Sequence, residues 1–490
     1  MVGAARRTSA PAYIAGSLIV VAYFLFFVWH GLDHHFADDD MMNIHYYWSR
    51  GPWALLRNLL LFFSTYNRPV GGVFYFTLYH LFGLNPLPYH VAVTCLMLLN
   101  VWLAFRFAER LSGSPLLAGL CALAVAYHAQ LAWLVYLPSF VYDVLCFTFY
   151  FLAFDYYLSV RARNALLSRR QMVAFLLLAV AALEAKEMAV TLPVMVLLYE
   201  AIWHPPKSWR WREALPALLL GALTAVYIFG KTHGPDALTN IGAYQSQFTV
   251  SRYFESTSRF LNTLCYQPLE TGLFQARAVV LLLAALLLFV AWRRREKHFW
   301  FACLFVFVVP LPITFVPGRG GGCLYIPLAG WALIAATLFL GLCNFIGKAP
   351  LLRKVPATAL RTVLVLLGVA LFWRETARQN PKIMPSMEGI GRLNWTLIQD
   401  FRTMQPRVKP NSTVVILGDP YWGLDIQFIA ELTFRDHSVN AWVEKTAQPG
   451  YLFAARDGKL LKRPAPPAEI EKMDYVFAVR DGRLVRLKPA

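Results

Sequence analysis

Three consecutive aspartates follow directly on the first long apolar run of the sequence. Asp38, Asp39 and Asp40 form the densest acidic cluster of the chain, and they are termed the acidic turn here. Crowded carboxylates raise one another's pKa, which suits a general base that deprotonates a hydroxyl group. The alternative is a solvated anchor at the membrane boundary, although acidic residues contribute little to membrane topology. The pattern therefore predicts a catalytic role for the acidic turn.

Three basic residues stand in loops that we predict on the same side of a membrane as the acidic turn. Arg319 lies in "FVPGRGGGCLYIP", Arg68 in "YNRPV" and Lys186 in "LEAKEMAVTLP". An arginine fork binds phosphate through two hydrogen bonds, and the glycines beside Arg319 allow the backbone to approach a ligand closely. The alternatives are that Arg68 caps an interfacial helix and that Glu184 and Glu187 neutralise Lys186. The three cations predict a phosphate-binding wall.

Two further polar residues lie near the outer ends of predicted spans. Asp143 begins a span, where the helix dipole favours an acid, so a structural role and a site role both explain it. For His128, in the outer half of a span, a packed and hydrogen-bonded histidine is the alternative to a functional one. Carboxylates that face cations at a membrane surface predict glycosyl transfer, because the cations stabilise the charge that develops on a phosphate leaving group.

The composition places these residues in a membrane protein. The chain has 490 residues, of which 58% are apolar and only 15% are charged. A soluble chain would carry about 25% charged residues. The net charge of +18 does not indicate nucleic-acid binding, because the basic residues cluster in short loops between apolar runs. We therefore expect contacts with membrane lipids and no nucleic-acid partner.

Eleven apolar segments predict membrane-spanning helices, each of which takes about 20 residues. The first segment resembles a signal peptide, but it is longer than a usual signal core and no A-x-A-like cleavage site follows, so we expect it to be retained. The predicted spans cover residues 11–30, 87–108, 114–136, 139–159, 170–185, 187–203, 214–231, 276–292, 299–316, 323–345 and 357–374. The fold class is thus an all-α polytopic membrane protein with a soluble tail.

The distribution of basic residues predicts the orientation of the spans. Lys and Arg are concentrated in every second short loop, which places those loops in the cytoplasm. The richest of them are residues 161–170, 204–213, 293–298 and 348–361. The N-terminus is then cytoplasmic, and an odd number of spans places the C-terminus outside. We expect an integral protein of the inner (plasma) membrane.

Three long segments fall on the outer side. The first outer loop, residues 31–86, predicts helices lying along the interface, with a re-entrant pair as the alternative. The outer loop 232–275 is polar and aromatic, which suits a mobile lid. After a membrane domain over residues 1–375, residues 376–490 predict a small extracytoplasmic α/β domain. Within it, residues 414–420 predict a strand, residues 422–434 a helix, and residues 475–487 a hairpin with an Asp-Gly turn.

Four stretches resemble the GT-C superfamily of polytopic glycosyltransferases, and within it the protein O-mannosyltransferase-like branch that includes tetratricopeptide-carrying members. "ADDDMMN" is similar to that branch's acidic pair, most naturally Asp39 and Asp40. "YNRPVGGVFYFTLYHLFGLNPLPYHVAV", "AKEMAVTLPVMVLLYE" and "LYIPLAGWAL" are similar to its "RP…H.LFGLNP..YH", "SKE.A.TLP..L..YD" and "LY.P..G.AL" stretches. The resemblance covers about residues 10–345, and the tetratricopeptide repeats are absent.

The chain departs from this branch at three positions. His128 and Asp143 match a His and an Asp that the branch has fifteen residues apart, but Trp133 and Val141 replace the Glu and Arg usual between them. Gly322 stands where an Arg normally precedes the "LY.P" stretch, and this chain has an Arg three residues earlier. The departures concern the acceptor and the lipid head group, and they leave the acidic pair in place.

The resemblance implies an inverting transfer from a polyprenyl-phosphate-linked sugar that enters from the outer leaflet. Asp39 would deprotonate a hydroxyl acceptor on a protein, lipid or polysaccharide, with Asp40 and Asp38 beside it. The three basic residues described above would hold the departing phosphate. The resemblance also implies five pocket residues, which are His128, Asp143, Glu187, Tyr325 and His90.

The first and third aspartates of the acidic turn also spell D-x-D. In some relatives this pattern binds a divalent cation such as Mg²⁺ or Mn²⁺, which would make Asp38 and Asp40 metal ligands here. A monophosphate leaving group needs such a cation less, so we expect no required cofactor.

Two other classes of protein share parts of this pattern. A transporter or flippase of a lipid-linked sugar would place ionisable groups near the bilayer midplane, commonly with inverted repeats. Here the charges gather at one face and no repeat is evident. A polysaccharide ligase depends on a large outer loop in the later part of its chain. The polar loop 232–275 fits that requirement, so a ligase stays an alternative.

Overall fold

Most of the chain folds into helices, and one β-sheet lies near the C-terminus. The structure is a computed structural model that describes residues 10–37, 39–63, 68–205, 211–234, 237–350, 355–383, 385–404, 408–421, 423–456 and 459–488. The helices are α1 (Ala10–Val28), α2 (Asp40–Leu60), α3 (Pro69–Phe82), α4 (Pro86–Ser112), α5 (Pro115–Ala126), α6 (Trp133–Tyr136), α7 (Val141–Arg161), α8 (Arg169–Ala185), α9 (Leu192–Trp203), α10 (Trp211–Thr232), α11 (Val250–Leu264), α12 (Arg277–Arg294), α13 (Lys297–Val308), α14 (Leu311–Thr314), α15 (Tyr325–Ile346), α16 (Ala357–Gln379), α17 (Pro385–Met404), α18 (Asp425–Phe434) and α19 (Pro467–Ile470). The strands are β1 (Thr413–Asp419), β2 (Asn440–Lys445), β3 (Tyr451–Arg456), β4 (Lys459–Pro464), β5 (Tyr475–Arg480) and β6 (Arg483–Arg486).

Local signals explain where several helices begin. Proline stands in the first turn of α3, α4 and α5, where its missing N–H leaves no hydrogen bond unmade. Asn85 and Ser114 cap α4 and α5 by accepting hydrogen bonds from backbone N–H groups of the first turn. Ser168 and Gln171 form a capping box at the start of α8. The starts of these helices therefore depend on neighbouring residues in the sequence.

Within the part of the chain that the structure describes, seven helical stretches are long and apolar enough to cross a membrane, which indicates an integral membrane protein. They are Tyr13–Asp33, Pro86–Ser112, Pro138–Arg161, Trp211–Thr232, Lys297–Thr314, Gly321–Ile346 and Ala357–Lys382. An eighth candidate is the pair Pro115–Ala126 and Ala129–Tyr136, which is bent by 53°. A helix occurs at every predicted span, but α8 has 17 residues, α9 has 12, and α12 carries arginines at both ends. The count of eleven spans stays a prediction.

The first outer loop folds into two helices, α2 and α3. Within α2, Gly51 has a φ of 73°, a conformation that favours glycine, and the helix bends there before Pro52. The half of α2 after this bend exposes Trp53, Leu56 and Leu60. An exposed apolar face of this kind is typical of a helix lying on a membrane interface. The predicted helices are confirmed, and their position at the interface stays a prediction.

The C-terminal domain contains a six-stranded sheet with the order β4-β3-β2-β1-β5-β6. The central strand β1 is parallel to β2 and β5, whereas the outer strands pair antiparallel. The predicted strand, helix and hairpin correspond to β1, α18 and the β5–β6 pair. Asp481 and Gly482, in the hairpin turn, have positive φ angles of 49° and 74°. The small C-terminal sheet domain is confirmed, and its extracytoplasmic position stays a prediction.

Candidate functional site

The two described aspartates of the acidic turn have different surroundings. Asp40 is fully buried at the start of α2, and its Oδ2 accepts a hydrogen bond from Ala37 N at 2.8 Å. Asp39 precedes the helix with an exposed side chain, and its carbonyl oxygen accepts a hydrogen bond from Asn43 N at 2.9 Å. Asp38 lies outside the described residues. A substrate in solution or at the membrane surface can therefore reach Asp39 directly, whereas Asp40 is enclosed.

Tyr142 connects the helix that follows the acidic turn with the first of the predicted phosphate ligands. Its hydroxyl donates to Asn43 Oδ1 at 2.9 Å, one turn after Asp39. The Arg68 guanidinium carbon lies 5.3 Å from the centroid of the Tyr142 ring, within the range of a cation–π contact. A Cβ atom at Gly71 would approach that ring within 2.3 Å, so glycine is needed for this packing. The acidic turn and Arg68 thus share one rigid neighbour.

Arg68 is paired with a carboxylate. Its Nη2 and Nε donate to Glu187 Oε2 at 2.8 Å and to Oε1 at 3.3 Å. Arg68 directly precedes α3, Glu187 begins a short 3-10 helix before α9, and both lie outside the seven stretches that are long enough to cross a membrane. Burial alone would raise the pKa of the Glu187 carboxyl, but the charges of Arg68 and Lys231 outweigh burial and lower that pKa to about 2. Glu187, predicted as a pocket residue, is therefore ionised and bound to a predicted phosphate ligand.

Lys186 is paired in the same way. Its Nζ donates to Asp143 Oδ2 at 2.6 Å, and both side chains are largely buried. A Cβ atom at Gly322 would lie 2.5 Å from the Phe140 ring and 3.2 Å from Asp143 Oδ2. The arginine that the resembling branch has at this position therefore does not fit here, and Lys186 supplies the positive charge beside Asp143.

Arg319 differs from the other two cations. Its guanidinium carbon lies 4.0 Å from the centroid of the Tyr244 ring, in the outer loop 232–275. Among the residues that the structure describes, Arg319 forms no ion pair with a carboxylate. Tyr244 also interacts electrostatically with Arg68, so this ring stands between two arginines. Arg319 can thus bind an anion without first breaking a salt bridge.

Residues at the ends of α8 and α10 extend this cluster beyond the sequence predictions. Lys231, in the last turn of α10, is buried, and its ammonium lies 5.4 Å from the centroid of the Tyr227 ring. It interacts electrostatically with Glu187 and Glu184. Within the described ranges, the Tyr227 hydroxyl and Glu184 Oε1 have no hydrogen-bond partner. A lysine in the last turn of an apolar span was the signal that could have identified Lys231.

The other predicted pocket residues make separate contacts. His128 stacks on Tyr266 with ring centroids 4.4 Å apart, and its Nε2 lies 3.1 Å from Leu264 O. His128 and Tyr325 line a small cavity, while His90 is buried in α4. These are the surroundings of packed core residues, and their membership of the active pocket stays a prediction.

A larger apolar cavity, partly open to its surroundings, lies beside the loop that carries Arg319. Its walls come from α11, α12, α13 and the start of α15. The lining residues are Tyr253, Thr257, Phe260, Leu261, Leu264, Val280, Leu283, Ala284, Val306, Phe307, Pro310, Thr314, Leu324, Pro327 and Trp331. Leu324 follows Gly322 by two residues, so the cavity and the Lys186–Asp143 pair flank the same short turn.

The described residues include no group of three or more His, Cys, Asp or Glu side chains that could hold a metal ion. The D-x-D pattern depends on Asp38, which lies outside those residues. A divalent cation at the acidic turn is therefore neither supported nor contradicted.

A solved structure is similar to this chain over nearly its whole length. No family model and no curated protein sequence matches the chain. The chain is similar to ArnT from Cupriavidus metallidurans, solved with bound undecaprenyl phosphate, with a TM-score of 0.49 and 15% identity over 98% of both chains. The resemblance to the O-mannosyltransferase-like branch stays a prediction.

Proposed function

We propose that this chain is a membrane glycosyltransferase that moves a sugar from a polyprenyl-phosphate donor to a hydroxyl acceptor. The observation that carries the proposal is the connection of the acidic turn to a cluster of cations through Tyr142. Its hydroxyl binds α2 at Asn43, and its ring lies under Arg68. A base and the cations for a leaving phosphate must lie on the two sides of one reacting carbon, and Tyr142 brings the helix that follows the base next to one of these cations.

Asp39 is the general base in this proposal. Of the two described aspartates it is the exposed one, whereas the Asp40 carboxylate is enclosed and accepts a backbone hydrogen bond. A general base must come within hydrogen-bond reach of the acceptor hydroxyl. Asp40 then orients the turn that presents Asp39.

The reaction needs no further reactant. The acceptor oxygen forms a bond with the anomeric carbon, and its proton passes to the Asp39 carboxylate. The bond between that carbon and the phosphate oxygen breaks, and its electron pair stays on the phosphate, so the carbon inverts. Arg319 stabilises the charge gained by the polyprenyl phosphate, assisted by Arg68 and Lys186. Product release then separates a lipid phosphate from a glycosylated acceptor.

The distribution of buried charges favours an enzyme over a transporter. A transporter would place ionisable groups near the bilayer midplane. In the described part of the helical region, these groups lie near the ends of their helices. They are Asp143, Arg161, Glu184, Glu200 and Lys231. Purified protein in vesicles should therefore yield glycosylated product, and lipid flipping without product would support the transporter class.

Replacing Arg319 tests the phosphate assignment. Arg319→Gln should lower kcat/KM for the polyprenyl-phosphate sugar by about 10- to 100-fold, because a charged hydrogen bond contributes roughly 1.5–3 kcal/mol. Arg319→Lys should recover part of this loss. The matched control is Arg252→Gln, since Arg252 lies near the same loop and binds Gln247. An unchanged kcat/KM in Arg319→Gln would remove Arg319 from the site.

The apolar cavity beside the loop of Arg319 is the proposed site of the lipid chain. Ala284→Phe should fill part of it and raise KM for long-chain donors about tenfold, the equivalent of roughly two buried methylene groups. Donors with a truncated lipid should be unaffected. Leu282→Phe, at an exposed position of the same helix, is the control. Equal effects on long and short donors would contradict this placement.

A further inference from the structure

The C-terminal domain contacts the chain on both sides of the acidic turn. On the far side, His45 Nε2 lies 2.6 Å from Glu431 Oε2 of α18. Farther along, the Trp48 ring stacks on His437 with centroids 4.0 Å apart, and Tyr79 donates to Leu432 O at 2.5 Å. Two residues in the first half of α2, the helix that begins with Asp40, and one residue of α3 therefore contact the domain.

The carboxylate of Glu431 is held by residues of the C-terminal domain and also contacts His45. Its Oε1 accepts hydrogen bonds from Arg456 Nη1 at 2.7 Å, from Ala441 N at 3.1 Å and from Gln427 Nε2 at 3.1 Å. Burial raises the pKa of the Glu431 carboxyl, but the hydrogen bonds and charges of His45 and Arg456 outweigh burial and lower it. Glu431 is thus an ionised group that links α18, β2 and β3 to α2. The hydrogen bonds to its Oε1 orient its Oε2 toward His45.

A second contact holds the near side of the acidic turn. Asn394 of α17 is fully buried, and its Nδ2 donates to Phe36 O at 3.0 Å. The next residue, Ala37, donates its N–H to the Asp40 carboxylate and accepts the Asp40 N–H at 3.1 Å. His35 stacks on Trp395 with centroids 4.9 Å apart. The backbone of Phe36 and Ala37 therefore connects the C-terminal domain to the Asp40 carboxylate.

We propose that the C-terminal domain positions the proposed base Asp39 through two contacts, Glu431 with His45 and Asn394 with Phe36. This inference rests on the proposed function. His45, Glu431 and Asn394 are positioning residues, since none of them needs to touch the substrate. A displacement of about 1 Å in a reacting group can reduce a rate about 100-fold, so small losses of these contacts have large effects on turnover.

The test compares variants of the full-length protein in lipid nanodiscs. Glu431→Gln and Asn394→Leu should lower kcat by about 10- to 100-fold and leave KM for the polyprenyl-phosphate donor within about twofold. The matched control is Asp400→Asn, because Asp400 is a buried carboxylate of the same domain that binds Arg483 and Leu484 N instead of α2. It should lower the Tm as much as Glu431→Gln does, with kcat within about twofold of the parent.

Hydrogen–deuterium exchange of residues 36–48 provides a readout that does not depend on catalysis. Exchange in this segment should increase at least tenfold in Glu431→Gln and in Asn394→Leu, and remain unchanged in Asp400→Asn. Unchanged exchange in both positioning variants would overturn the inference, and so would a kcat that falls equally in the control. If the parent protein transferred no sugar from any donor, the proposed function would fail while the exchange data still decided whether the domain holds the segment.

Discussion

Asp39→Asn should reduce sugar transfer by about 10²- to 10⁴-fold, the usual contribution of a general base. The amide keeps the size of the side chain and removes its ability to take up the acceptor proton. Because Asp39 is exposed, the substitution should leave the thermal stability and the donor KM nearly unchanged. Transfer of radiolabelled sugar from a polyprenyl-phosphate donor to the acceptor measures the effect directly.

Two further variants test whether Asp39, and not a neighbouring aspartate, is the general base. Asp40→Asn should lower both activity and stability, because a neutral amide accepts the Ala37 N–H more weakly than the buried carboxylate does. Asp33→Asn, an exposed aspartate shortly before the acidic turn, should retain full activity. Full transfer by Asp39→Asn would remove the base assignment. A large loss confined to Asp40→Asn would exchange the roles of the two aspartates.

Lys186→Met should destabilise the protein by roughly 3–5 kcal/mol, because it leaves the Asp143 carboxylate buried without its partner. Adding Asp143→Leu should restore most of the stability, since an apolar pair often replaces a buried ion pair without cost. Transfer activity should stay low in the double variant, because Lys186 is proposed to assist phosphate departure. Thermal unfolding and transfer assays on the same samples separate the two effects.

A second buried ion pair is the control for this double variant. Arg161 Nη2 donates to Glu200 Oε2 at 2.6 Å, at the opposite ends of α7 and α9 from the site. Arg161→Met with Glu200→Leu should restore stability and activity together. Full activity in the Lys186→Met and Asp143→Leu double variant would show that this pair is only structural.

The apolar helices and the strands β1, β5 and β6 were predictable because their signals are local. Apolar runs, the prolines of α3 to α5 and the Asp-Gly turn each act over a few neighbouring residues. The number of spans was less predictable, since α8 and α9 are apolar but short. Apolar composition predicts a helix that avoids water. A helix must also have about 20 residues to cross a membrane, so composition alone does not give the number of spans.

The pairing of charges was beyond the reach of sequence reasoning. The sequence suggested that Arg68 and Lys186 face the carboxylates across a pocket, whereas each of them is bound to a carboxylate, at Glu187 and Asp143. Residues 119 and 43 positions apart form these pairs, and a linear pattern contains no information on such distances. Lys231, by contrast, carried a local signal, because it is a lysine in the last turn of an apolar helix.

The sequence by itself determined the membrane class, the positions of the apolar helices, the sheet domain in the tail and the acidic turn as the main candidate for catalysis, whereas α11 and α17 were not predicted. The tertiary structure decided that Asp39 is exposed while Asp40 is buried, that Arg319 lacks a carboxylate partner among the described residues, and that the tail contacts the chain on both sides of the acidic turn. The contact of His45 with Glu431 joins residues 386 positions apart. Periodicity and composition act along the chain, but a site depends on which distant side chains meet, and packing alone settles that.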